Sequence, residues 1–121
     1  MSQKLSRNRN EAFKRQEGRC FYCTSEMWLE SPDDFMHRHG LSRVEAARFQ
    51  CTAEHLRARQ DGGGNALTNI VAACLFCNQK RHARAVPLSA EPYKQFVIKR
   101  LRRSKWHPAQ YHRLLALPLI A

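Results

Sequence analysis

Glu54 and His55 stand side by side, and a glycine run, Gly62-Gly63-Gly64, separates them from Asn69, Asn78 and His82. Cys-x2-Cys pairs lie on either side of that acid and histidine, Cys20/Cys23 upstream and Cys74/Cys77 downstream. These residue types divide into two kinds of chemistry. A neutral imidazole accepts a proton near pH 7, and oxygen ligands suit a hard divalent cation such as Mg²⁺. Hydrolysis of a phosphodiester needs both, a water made nucleophilic and a cation to neutralise charge on the phosphate and leaving oxygen. Four thiolates instead suit Zn²⁺ held tetrahedrally, a closed arrangement with no position for substrate.

The cysteine pairs therefore read as a structural staple, with Cys20, Cys23, Cys74 and Cys77 as zinc ligands. Ligand number alone would also admit an iron–sulfur cluster, but the aromatic neighbours in each short turn favour zinc. Five cysteines are an odd number, and paired spacing in a reducing compartment points to metal rather than disulfides. Cys51 is left over and is expected to be a buried strand residue.

Charge points to the partner. The 121 residues carry 21 lysines and arginines against 10 acids, a net +11. From Cys51 onward there are 12 basic and 3 acidic residues, so the excess collects in the half that holds most of the chemistry. A polyanion, nucleic acid above all, fits that imbalance. Lys80, Arg81 and Arg84 are expected phosphate contacts, and Arg57 and Arg59 sit where a basic loop would approach a duplex backbone. Lys99, Arg100, Arg102, Arg103 and Lys105 read as nonspecific phosphate contacts. No apolar run approaches a membrane span, and Met1 to Asn10 lacks a signal core, so a soluble cytoplasmic (intracellular) protein is expected, nucleoid-associated or phage-encoded.

The elements that must position these residues follow from local signals. Asn10 to Gln16 reads as a short helix capped by Asn10 and ended near Gly18. Residues 31–50 read as a helical hairpin insertion: Ser31-Pro32-Asp33-Asp34 starts one helix, Gly40 stops it, and the capping box Ser42 to Glu45 opens another, to about Gln50. Cys51 to Leu56 and Leu67 to Ala73 are expected strands joined by the glycine loop, followed by a helix from Asn78 to Arg84. Asn78 and His82, four apart, then share a helix face suited to one ion. Glu54 and His55, adjacent on a strand, point to opposite sides. A basic amphipathic helix from about Ala90 to Ser104 presents Tyr93, Phe96, Val97 and Leu101 on one side, and Pro108 and Pro118 bound a terminal segment. One domain over 1–121 is expected, with a core finger at 51–86.

In this order the residues resemble the HNH endonuclease motif, the ββα-metal or His-Me finger. The pattern is carried by Glu54-His55, Gly62-Gly63, Asn69-Ile70 and Cys74-Leu-Phe-Cys77-Asn78-Gln-Lys80, with Cys20/Cys23 matching the upstream knuckle of many members. The resemblance implies an α+β fold, a small finger stapled by the four-cysteine zinc site and flanked by helices. It implies His55 as general base, Asn69 as the residue that orients the His55 loop, and Glu54 and Asn78 as ligands of a catalytic Mg²⁺ or Mn²⁺. His82 falls where colicin-type DNases carry an additional metal histidine and where many zinc-knuckle members have a small residue. Glu54 departs from the commoner Asp, and Ala58 stands where a proline is frequent.

The implied activity is endonucleolytic hydrolysis of DNA. A zinc-stabilised nucleic-acid-binding module without catalysis and an RNA-directed nuclease share the same signals. Outside the motif, His37, His39, His107 and His112 read as surface residues or caps, and Trp28 and Trp106 as packing residues.

Overall fold

A computed structural model describes residues 2–116. Helix α1 (Gln3–Arg15) opens the chain, with the Ser2 hydroxyl accepting from the Leu5 amide at 3.0 Å. The expected start at Asn10 is thus corrected. Ser2 already supplies a cap, nothing from Gln3 onward breaks the helix, and Asn10 lies within it, accepting from Arg9 Nε at 3.1 Å.

The insertion folds as two short helices, α2 (Asp33–His39) and α3 (Arg43–Ala47). Gly40 ends α2 in the left-handed conformation, and the Ser42/Glu45 capping box is present in both directions at 3.1 and 3.0 Å. Helix α3 stops short of Gln50 because the chain there is drawn into β structure: Gln50 bridges Trp28, and the Cys51 amide donates to the Trp28 carbonyl at 2.8 Å.

Strands β1 (Cys51–His55) and β2 (Ile70–Cys74) pair antiparallel, from Cys51 opposite Cys74 to His55 opposite Ile70. Leu67–Asn69, expected as strand, forms a 3₁₀ turn instead. Every β2 residue is buried, so its outer edge must find partners inside the protein. It finds them in the end of α1 and the first knuckle. The Gln16 amide accepts from Ala72 N at 2.9 Å and donates to Ala72 O at 2.8 Å, Arg15 reaches Ile70 O, and Phe21 N donates to Ala72 O at 2.9 Å.

Helix α4 (Leu75–His82) leaves β2 directly, with Cys74 as its N-cap, and so begins before the expected Asn78 and ends before Arg84. Helix α5 (Ala90–Arg102) turns Ala90, Tyr93, Val97 and Leu101 inward. The chain then returns through a 3₁₀ segment, Ala109–Leu114, whose Tyr111 and Leu114 pack against the insertion; Pro118 lies outside the described residues. The result is a mixed α+β arrangement, ββα at its centre, with two apolar clusters. One gathers Ala12, Tyr22, the cysteines, β2 and α5; the other gathers Phe35, Phe49, Tyr111 and Leu114 in and beside the insertion. Among the described residues no helix is long and apolar enough to cross a membrane.

Candidate active site and cysteine cluster

The fold carries Cys20 and Cys23, in the turn after α1, to the first turn of α4, where Cys74 and Cys77 wait. All four are buried, and their sulfurs lie within 4.8 Å of one another. Four sulfurs at ~2.3 Å from a common zinc stand ~3.8 Å apart, and Cys23 and Cys74 Sγ are 3.8 Å apart. The surroundings also suit thiolates. Sulfurs receive hydrogen bonds from the amides of Tyr22, Cys74 and Cys77 and from Trp106 Nε1, at 3.3–3.5 Å. Burial pushes Cys74 and Cys77 well up, whereas at Cys20 hydrogen bonds from the other three cysteines outweigh burial and hold the thiol well down. Anionic sulfur is therefore favoured at Cys20 and opposed at Cys74 and Cys77, and a bound dication would favour the thiolate. The donor set fits zinc. Cys51 stays apart, with burial pushing its thiol up to about 12.

The second site is an open cleft of about 350 Å³ between the end of β1, the loop after it and α4, lined among others by Glu54, His55, Arg59, Asn78 and His82. Alternation along β1 sends Glu54 inward and leaves the His55 ring half-buried at the cleft. Glu54 is only 1% exposed and is fully engaged. Its Oε2 accepts from Tyr22 Oη at 3.0 Å and faces Arg81 at 3.2 Å, while Oε1 faces His82 Nε2 at 3.0 Å. Burying a carboxylate without such partners would cost several kcal/mol or more.

Glu54 Oε1 and His82 Nε2 are in direct contact at 3.0 Å at the cleft wall, so a cation held by both would replace that contact. These two atoms could hold a divalent ion at the cleft. Asn78 shares the His82 face of α4 one turn away, its Nδ2 donating to Thr52 Oγ1 at 2.9 Å.

The loop between the strands is set by Asn69. Its Oδ1 accepts from Arg57 N at 2.9 Å, and its Nδ2 donates to Arg57 O at 3.1 Å and Gly64 O at 2.8 Å, closing the loop across its base. Gly63 packs so tightly there that a Cβ would fall 1.7 Å from Arg57 O, so no other residue fits. Asn69 makes no hydrogen bond to the His55 ring among the described residues. Asn65 does, with Oδ1 2.8 Å from His55 Nε2. Arg59 Nε approaches the same nitrogen at the outer limit, 3.5 Å. These contacts engage Nε2, and Nδ1 has no hydrogen-bond partner among the described residues. Asn65 is itself anchored from α1, where Asn8 Nδ2 donates to its carbonyl at 2.7 Å.

The basic residues separate by position. Arg59 lines the cleft, and Arg57 is exposed on the loop beside it. Lys80 and Arg84 line a different cavity on the other side of α4. Arg81 is not a phosphate contact: it is 2% exposed, and its guanidinium binds the carbonyls of Leu88, His55 and Leu56 as well as Tyr22 and Glu54. His107, expected at the surface, is 1% exposed and accepts from Arg48 Nε at 2.9 Å.

Nothing in the local pattern singled out Asn65, Tyr22 or Asn8. Asn65 immediately follows the glycine run, but its reach to His55 depends on how that loop closes.

Comparison with known proteins finds no matching curated protein and no matching solved structure. A family model described as HNH endonuclease does match, over residues 20–84, a span running from the first zinc-suited cysteine past His82. With more than half the chain inside that match and the ββα finger, the cysteine cluster and the histidine cleft all within it, the chain belongs to the HNH endonuclease family.

Proposed function

We propose that the protein is a divalent-metal-dependent endonuclease that hydrolyses DNA phosphodiester bonds. The observation that carries this reading is the convergence of the His55 ring, the Glu54–His82 pair and Arg59 on one open cleft. His55, held through Nε2 by Asn65, offers Nδ1 to take a proton from the attacking water. Arg59 stands ready for a phosphate oxygen, and Asn69 keeps the loop that carries both Arg59 and Asn65 closed. Mg²⁺ or Mn²⁺ held by Glu54 and His82, with Asn78 alongside, would supply charge neutralisation at the phosphate and leaving oxygen. The zinc-suited cysteines take no part beyond holding α4 in place. A reducing interior, which keeps thiols free for metal, suits the whole assembly.

The test is His55→Ala in zinc-loaded protein, assayed by nicking of supercoiled plasmid with Mg²⁺ and with Mn²⁺. Loss of cleavage by about 10²–10⁴-fold, with DNA binding retained, is the expected result; near-full cleavage would overturn the assignment. One observation favours a second reading, a nucleic-acid-binding module without catalysis: both Glu54 oxygens already have protein partners. That reading gives salt-sensitive binding and no nicking in either metal. An RNA substrate would show itself in the same assay run on labelled RNA.

A further inference from the structure

Helix α4 has a second working face. Asn78 and His82 look into the His55 cleft, whereas Phe76 and Lys80, four residues apart on α4, line a separate cavity of about 350 Å³ between α4 and α5 together with Arg84, just beyond the end of α4. Its floor is aromatic. Phe76, Phe96 and Trp106 are half-buried there, with the Trp106 ring edge-on to both phenylalanines at centroid distances of 5.2 and 6.0 Å.

The rim is basic. Lys80, Arg84, Arg100 and Lys105 surround the floor, no acidic residue lines the cavity, and none of the four forms an ion pair among the described residues. Arg84 and Arg100 instead rest their guanidinium carbons 4.8 and 5.7 Å from the Phe96 ring centre. Cations left to pair with an aromatic ring, with no carboxylate nearby, mark a place for an anion that also carries a flat apolar face.

We propose that this cavity binds an unpaired nucleotide of the nucleic-acid substrate, its base stacked on the Phe96 ring beside Trp106, in place of the Arg84 and Arg100 guanidiniums, which turn with their basic neighbours to hold its phosphate. Inside a duplex the base faces are covered by stacking and only phosphates and base edges face outward; an aromatic floor is reached by a base that has left the stack. The inference rests on the nucleic-acid reading above and adds a substrate class, strands with an unpaired segment beside the cut. A helix with its side chains is about 10–12 Å across, so one strand curving around the exposed side of α4 could reach both the His55 cleft and this cavity.

The test is fluorescence anisotropy with zinc-loaded protein, without Mg²⁺ or Mn²⁺ so that nothing is cut. It compares a labelled single-stranded DNA oligonucleotide with an abasic oligonucleotide of the same length. Wild type should bind the base-bearing strand about 5- to 100-fold more tightly. Phe96→Leu, which keeps an apolar side chain, should bring the two within about twofold of each other and leave abasic binding unchanged, whereas Arg84→Gln with Arg100→Gln should weaken both. Equal affinities in wild type, or a base preference that survives Phe96→Leu in protein with a wild-type circular dichroism spectrum, would overturn the proposal. A base preference lost in Phe96→Leu, together with no nicking by any form, would sink the nuclease reading alone. Nicking without base preference would sink this one alone, and no binding to either strand would sink both.

Discussion

The finger and the insertion close their interiors in different ways. Around the finger, the buried set includes four thiols, a carboxylate and a guanidinium, so Cys20, Cys23, Cys74, Cys77, Glu54 and Arg81 each need a specific counterpart. In and beside the insertion, Phe35, Phe49, Tyr111 and Leu114 pack on one another, and the helix ends there are met by Ser42, Glu45 and Gly40. Apolar packing tolerates adjustment; a buried charge or thiolate cluster either has its partner or does not. The region that carries the chemistry is thus also the one whose stability is conditional.

The largest expected effect follows from that condition. Structural zinc contributes about 10–16 kcal/mol of apparent binding free energy, against about 5–15 kcal/mol for the stability of a whole domain. Chelation, or Cys74→Ser, should abolish cooperative melting followed by circular dichroism; a melt unchanged within a few degrees would sink the staple. Next comes Glu54→Gln, which leaves the buried Arg81 without its countercharge and should cost about 3–5 kcal/mol in urea unfolding of the zinc-loaded protein. A cost under about 1 kcal/mol would mean that Tyr22 and the carbonyls around Arg81 suffice without the charge.

His107 joins the two regions, between Phe49 of the insertion and Phe76 of α4, and it tests their boundary through pH. Burial, with Arg48 alongside, holds it down at about 3 from an ordinary 6.5. Below 6.5 the unfolded chain takes up a proton that the native protein refuses, so this group lowers stability as pH falls from 6.5 toward 3. The slope is at most about 1.4 kcal/mol per pH unit. His107→Phe should flatten that part of the stability–pH curve relative to wild type, and an unchanged slope would contradict it. The smallest effect is expected at the insertion's own end: Ser42→Ala should cost about 1 kcal/mol, read as a modest drop in melting temperature.

Much of the finger was legible because its signals are local. Cysteine spacing, the acid–histidine pair, the glycine run and the Ser42–Glu45 box each lie within a few residues and have one natural folded form. What was not legible depends on long reach. Gln16 meets Ala72, Tyr22 meets Glu54, and Arg81 turns inward to Leu56 and His55 only once the sheet exists. A basic residue in a basic helix reads as surface until an acid is found beneath it, which is why Arg81 misleads. The start of α1 was missed for a simpler reason: Ser2 and Asn10 are both good caps, and only the absence of a breaker between them favours the earlier one.

Helix α4 leaves the cysteine cluster at its first turn and reaches Glu54 at its last. It therefore fixes a phase as well as a distance. One residue added between Cys77 and Asn78 would turn everything after it by about 100°, carrying His82 away from Glu54 and Lys80 out of line with Phe76 while every functional side chain was still present. Such a chain could keep its cysteine cluster and its sheet yet lose both faces of the helix at once. Residues 74–82 are consequently a stretch where length is under tighter constraint than composition, and where a single-codon insertion or deletion should be far more damaging than most substitutions.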